Sequence, residues 1–269
     1  MRMHEVTLGQ YYPRDSVFHK LDPRTKLGTI LLYIIGLFLV KNSLWFLVFL
    51  ALLMILFRSA KIPMSYMLKG MKGFALLLVF TFVFRMLCTP GYELASFWIF
   101  QITVEGINKG IQLSARIGLM VAAASLLGYT ATPKELVDGL GRVISPLKKM
   151  GVPVSDISMM VMIAFRFIPI MMNEAFDLMD AQSSRGVEFK QCSFPEKCRN
   201  IFALLVPLFV NSVDRSADLA MAMESRGYTG DGNVTMMYPL EFHKNDGIMW
   251  ALALLMFCAL VVLRVLGML

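Results

Sequence analysis

Charge is scarce in this chain: 17% of its 269 residues are charged, 57% are hydrophobic, and the mean hydropathy is +0.63. Soluble domains carry about 25% charged and about 45–50% apolar residues, so a water-soluble globule is excluded and a membrane protein is expected. Cysteine and histidine are scarce as well. The four cysteines (Cys88, Cys192, Cys198, Cys258) form no CxxC pair, and the three histidines (His4, His19, His243) are scattered through polar segments. Neither a zinc site nor a disulfide framework is built that way. No GxxxxGK[ST], HExxH or GxSxG occurs, which removes the usual nucleotide cradle, metalloprotease and serine-nucleophile routes. No catalytic residue, metal or cofactor is therefore expected. The polar stretch 1–26 does not read as a cleavable signal peptide.

The charge that is present is unevenly placed. Residues 1–26 hold five basic and three acidic residues, and Arg58, Lys61, Lys69 and Lys72 stand in a segment with no acid. Residues 131–246 hold 26 of the 45 charged side chains, twelve basic and fourteen acidic. The net charge of +7 thus sits in short segments beside apolar runs, which is a topology signal and not a nucleic-acid footprint. Apolar runs at about 27–40, 43–57, 71–88, 107–130 and 247–266 predict about five transmembrane helices, each span needing roughly 20 residues. One helix over 27–57 would overshoot the bilayer by about half, so Lys41-Asn42-Ser43 reads as a turn. The positive-inside rule then places the N-terminus, the 58–72 loop and residues 131–246 in the cytoplasm. Residues 89–106 and Leu269 fall outside. The expected fold class is an all-α, multi-pass cell-membrane protein divided at 1–130, 131–246 and 247–269.

The inner segment is itself helical. Thr132-Pro133-Lys134-Glu135 is a capping box with Pro at the first helical position, opening an amphipathic helix that Pro146 and Gly151 close. A second helix starts at Ser155-Asp156 and runs to Arg185; a third starts at Ser193-x-x-Glu196 and runs to Arg226. Pro169 and Pro207 should kink these two. Each is apolar early and polar late, and each ends on a similar hexapeptide, "AQSSRG" (181–186) and "AMESRG" (222–227). Arg before Gly is an ordinary helix stop, since the cation offsets the terminal dipole and Gly accepts a left-handed backbone. Two matched copies ask for more, and exposed arginines on two helix ends suit a docking device.

Other charged residues are ambiguous. Asp177 with Asp180, and Asp214 with Asp218, each share one helical face and could hold Mg²⁺ and a diphosphate, as in a membrane prenyltransferase. Solvated or ion-paired helix faces are the plainer reading, with Arg215 and Glu174 nearby. Arg116 lies inside a span and needs a partner or polar cavity, as intramembrane charges do. Arg166 and Glu174 belong with it as intramembrane or structural polar residues. Ser114, Gly118 and Ala122 form a small-residue stripe that admits another helix, from this chain or from a partner.

Several segments together resemble one family. "SVFHKLDPRTKL" (16–27), "TVEGINKGIQLSARI" (103–117), "AFRFIPIMMNEAFDLMDAQSSRG" and "LVPLFVNSVDRSADLAMAMESRGY" are similar to signatures of the transmembrane T component of energy-coupling factor transporters, the EcfT/CbiQ family. The resemblance is strongest to the shared T components that serve several vitamin receptors. Ser184 and Ser225 stand where the family's Ala-Arg-Gly motif has Ala. The resemblance implies a non-catalytic scaffold joining two ABC-type ATPase subunits to a substrate-binding S component in lipid, with no nucleic acid. It assigns ATPase coupling to Ser184, Arg185, Gly186, Ser225, Arg226 and Gly227. The residues alone leave a prenyltransferase or a homodimeric permease open.

Overall fold

A computed structural model describes residues 12, 14–40, 42–90, 93–97, 100–187, 193–230 and 242–266. Lys41, Gly91, Lys190 and Cys192 lie outside the described residues. The chain folds as α1 (Pro23–Leu39), α2 (Ser43–Ser59), α3 (Met64–Lys72) and α4 (Ala75–Cys88), then a hairpin of β1 (Glu93–Phe97) and β2 (Phe100–Thr103). There follow α5 (Val104–Thr130), α6 (Pro133–Ile144), a 3₁₀ turn at Ser145–Met150, α7 (Val154–Ser184), α8 (Phe194–Ser225) and α9 (Lys244–Val265). The all-α class holds, with the antiparallel hairpin as a small addition between α4 and α5.

Local signals explain the boundaries. Asp22 accepts from the Arg24 amide ahead of Pro23 and starts α1, while the Asn42 side chain starts α2, so the run 27–57 does break into two helices. The Thr132–Glu135 capping box closes reciprocally, with the Glu135 amide donating to Thr132 Oγ1 at 3.3 Å and the Thr132 amide to Glu135 Oε2 at 3.4 Å. Glu196 accepts from both the amide and the hydroxyl of Ser193. The helices α7 and α8 run unbroken through Pro169 and Pro207, within one residue of the predicted ends.

By length and hydropathy, α5, α7 and α9 can each cross a membrane, and α2 with α3 counts as a fourth span if their 119° bend lies within one broken span. α4 is a shorter apolar helix of 14 residues and α1 has 17, so among the described residues three or four candidate spans stand where about five were expected. That α7 qualifies departs from the expectation that all of 131–246 is cytoplasmic.

The chain divides into two compact units at 143/144 and 237/238, one holding α1–α6 and α9, the other α7 and α8. In the first, Tyr33, Leu37, Phe49, Leu53, Phe57 and Leu126 are buried in one core where α1 meets α2, α5 and α9. Tyr33 donates its hydroxyl to the Phe49 carbonyl at 3.0 Å, which satisfies a polar tip inside an apolar interior. α6 joins this unit because Gly139 lets the helix approach Pro23, where an added Cβ would meet the Pro23 ring at 2.8 Å.

The segment "SVFHKLDPRTKL" forms a buried polar hub. Lys26, 1% exposed, donates to the carbonyls of His19 (2.7 Å) and Thr130 (3.0 Å) and lies 3.6 Å from Glu135. Asp246, fully buried, accepts from the amides of Asp22 (2.7 Å) and His243 (2.8 Å). One lysine and one aspartate thereby tie the beginnings of α1, α6 and α9 to the end of α5. Burial at this depth is tolerated because each charge is hydrogen-bonded.

Candidate functional site

The two hexapeptides end α7 and α8 with the same hydrogen-bonded cap. At α7 the Gly186 amide donates to Ser183 O (3.0 Å) and the Val187 amide to Gln182 O (3.1 Å). At α8 the Gly227 amide donates to Glu224 O (2.9 Å) and the Tyr228 amide to Met223 O (3.0 Å). This is the Schellman arrangement, and it needs a residue that accepts positive φ at the position after the cap. Gly186 and Gly227 supply it at φ +86 and +79, with no atom within 4 Å of where a Cβ would stand. The glycines are therefore required by backbone conformation, not by space.

The arginines contribute only backbone to these caps. Arg185 and Arg226 occupy the cap position with nearly identical dihedrals (φ −88, ψ 7 and φ −91, ψ 7), and both side chains are exposed. Among the described residues neither guanidinium has a hydrogen bond or an ion pair. Ser184 and Ser225 turn their hydroxyls back onto the carbonyls of Asp180 and Ala222, each at 3.0 Å. The helix-stop reading thus accounts for both glycines, and among the described residues it leaves each guanidinium only the helix dipole to act on.

Between the two helices lies a polar clamp. Glu174 on α7 accepts from Asn211 (2.5 Å) and from Arg215 (3.1 Å) on α8, and the Ser212 hydroxyl meets the Met171 sulfur at 3.2 Å. Two of these pairs, Met171–Ser212 and Glu174–Arg215, are 41 residues apart, the same offset that separates Arg185 from Arg226. Along its own helix each arginine stands eleven residues beyond its clamp residue, about 16 Å at 1.5 Å per residue. Asn211 was missed in the sequence; the 41-residue offset between the hexapeptides, applied to Glu174, points to its partner Arg215.

The other sequence candidates separate. Asp177, Asp180, Asp214 and Asp218 are all exposed, and among the described residues no group of three or more His, Cys, Asp or Glu side chains could hold a metal ion. Arg166 is exposed, without an ion pair or hydrogen bond among the described residues, and is not brought together with Glu174. Arg116 finds its partner: Nη2 donates to Val40 O at 2.6 Å beyond the end of α1, with the guanidinium beside the rings of Phe38 and Phe46. The small-residue stripe packs within this chain. A Cβ on Gly106 would meet Met86 O at 2.7 Å, one on Gly110 would meet Phe82 at 3.1 Å, and Ser114 donates to Leu78 O at 3.3 Å. The stripe begins two turns earlier than the sequence reading placed it, and α4 runs antiparallel along it.

Several apolar helices that can cross a membrane, plus a second compact unit built on two arginine-ended helices, define a polytopic helical membrane protein. Comparison with known proteins specifies it further. The sequence profile of the CbiQ family, described as "Cobalt transport protein", matches residues 14–237. The chain is 35% identical over 260 residues to an energy-coupling factor transporter transmembrane protein EcfT of Acidaminococcus fermentans, covering 97% of both chains. It is 40% identical over 242 residues to the protein of the same description from Heliobacterium modesticaldum, covering 90% of this chain and 91% of the relative. A third, from Ruminiclostridium cellulolyticum, is 37% identical over 242 residues. The chain belongs to the family of energy-coupling factor transporter transmembrane proteins.

Proposed function

We propose that this T component is the scaffold of an ABC-type importer, coupling ATP hydrolysis by two partner ATPases to vitamin uptake through a substrate-binding S component. In this reading Arg185 and Arg226 each enter a groove on one ATPase, framed by Ser184, Gly186, Ser225 and Gly227. The chain itself catalyses nothing. Its N-terminus and the α7–α8 unit face the cytoplasm, and its C-terminus faces outside.

The observation that carries this reading is the equivalence of the two helix ends. Identical caps place two unused guanidiniums at equal distances from one Glu174–Arg215 clamp. A planar guanidinium makes several charge-assisted hydrogen bonds to carboxylates or carbonyls at once, which suits insertion into a polar groove. A clamp fixing the two prongs would transmit a change in their spacing to the apolar halves of α7 and α8, where an S component could rest. The test is co-purification from membranes carrying tagged ATPases, with mass identification of partners. Two ATPases and an S component recovered with this chain support the scaffold; a lone protein that shows Mg²⁺-dependent prenyl transfer would overturn it.

A further inference from the structure

We propose that a basic cleft between α4 and α5 binds the phosphate of an anionic phospholipid headgroup, in the leaflet opposite the basic segment of Arg58 and α3. A cavity of about 110 Å³ is lined by Arg85 of α4 and by Lys109, Gln112, Leu113 and Arg116 of α5. The four α5 residues follow helical spacing i, i+3, i+4, i+7 and so make one stripe facing the cleft. Three of the five lining residues are cations and none is an acid.

Among the described residues no ion pair offsets this charge. Arg85 and Lys109 are exposed and, among the described residues, form no ion pair. Arg116 spends Nη2 on Val40 O, while its Nε is buried without a hydrogen-bond partner. Gln112 is turned toward Ser43 and Asn108. Like charges around one cleft repel, and the repulsion grows as the dielectric falls near hydrocarbon. An anion resting there relieves it.

Depth and shape select a lipid phosphate. Arg85 lies three residues from the end of α4 and Lys109 five residues from the start of α5, about 5–8 Å inside the helix ends. A helix pair ending at the membrane surface would hold both cations in the headgroup region, which adds roughly 5–8 Å to each side of the hydrocarbon. The cavity is far smaller than the roughly 300–1,000 Å³ of drug-sized ligand sites, and it has an apolar wall in Leu113. The positive-inside rule disfavours two exposed cations on this side of the membrane, so their presence asks for a local counter-charge.

The experiment uses the full chain, delipidated in neutral detergent and followed by thermal unfolding. Dioctanoyl-phosphatidylglycerol at a hundredfold above its half-saturating concentration should raise the unfolding temperature by about 5 °C. Dioctanoyl-phosphatidylcholine should not, because its choline adds a fourth cation. R85Q/K109Q should lose the shift and, without lipid, unfold at or above the wild-type temperature, since the repulsion is gone; R85K/K109R should keep the shift. An undiminished phosphatidylglycerol shift in R85Q/K109Q overturns the site. A lipid-free R85Q/K109Q less stable than wild type also overturns it, because the cations would then be satisfied internally. A full shift from inorganic phosphate at matched concentration overturns the lipid as ligand.

Discussion

Arg185 and Arg226 divide the two readings of the helix ends. If each guanidinium is buried against an ATPase, Arg185→Glu or Arg226→Glu should cost at least about 2–5 kcal/mol at that contact and abolish vitamin uptake. Each single variant should still insert in the membrane and retain weakened ATPase association, with the double variant releasing both. If the arginines serve only the helix dipole, about 0.3–1 kcal/mol is lost and uptake survives. Arg185→Lys keeps the charge without the planar fork, so normal transport by the Lys variants would show that charge alone suffices. His19 offers a second test at this scale. Its Nε2 meets the Tyr12 carbonyl at 3.0 Å and its Nδ1 meets Ser16 Oγ at 2.7 Å, which fits a neutral ring donating at Nε2 and accepting at Nδ1. Burial, helped by the neighbouring Lys26 cation, holds its pKa below the ordinary 6.5, against the opposing pull of the backbone hydrogen bonds to Tyr12 and Tyr129 and of Glu135. The folded state therefore prefers the uncharged ring. Its contribution is complete above pH 6.5 and is lost as pH falls toward the lowered pKa. Thermal unfolding should shift to lower temperature between about pH 7.5 and 5.5, and His19→Asn should flatten that slope. Equal slopes in both proteins would rule out the assignment.

Among the elements, the α4–α5 pair is held by small residues on α5, and two glycines there should respond with opposite signs. At Gly106 a methyl would press on the Met86 carbonyl oxygen, a backbone atom that cannot swing away. Gly106→Ala should destabilise by about 1–3 kcal/mol. Gly128, in the same helix, has nothing within 4 Å of its missing Cβ. Gly128→Ala should stabilise by up to about 1 kcal/mol, because alanine loses less backbone entropy in a helix. Denaturation in matched detergent checks both, and destabilisation of similar size at each would refute the packing account. The α7–α8 clamp is testable by a double-mutant cycle on Glu174→Ala and Arg215→Ala. The pair is partly exposed, at 19% and 39%, so a coupling of about 1 kcal/mol is expected, and none if the helices are held by apolar contact alone.

For the whole molecule, the topology predicts which loops meet the outside. In a background without native cysteines, Asn42→Cys should react with an impermeant thiol reagent applied to intact cells, and Lys190→Cys should not. Reaction of Lys190→Cys from outside would invert the orientation and move the arginine ends away from any cytoplasmic ATPase.

The helix ends were legible in the sequence because each rests on local chemistry: the Thr132 and Ser193 capping boxes, and Gly186 and Gly227 after the last turn. Of the apolar runs, 107–130 and 247–266 do form helices long enough to cross a membrane, while 71–88 is divided between α3 and a 14-residue α4. Composition alone excluded a soluble globule. What no local pattern contained was partnership between distant residues. Lys26 meets the Thr130 carbonyl 104 positions away, Asp246 meets the Asp22 amide 224 positions away, and Arg116 meets Val40 O across 76. A buried charge announces that it needs a partner, because isolation in a low dielectric is costly, but not which one. The tertiary structure decided that, and it decided that the stripe on α5 packs inside this chain, with Gly106 and Gly110 against α4 and Gly118 against Met71 of α3.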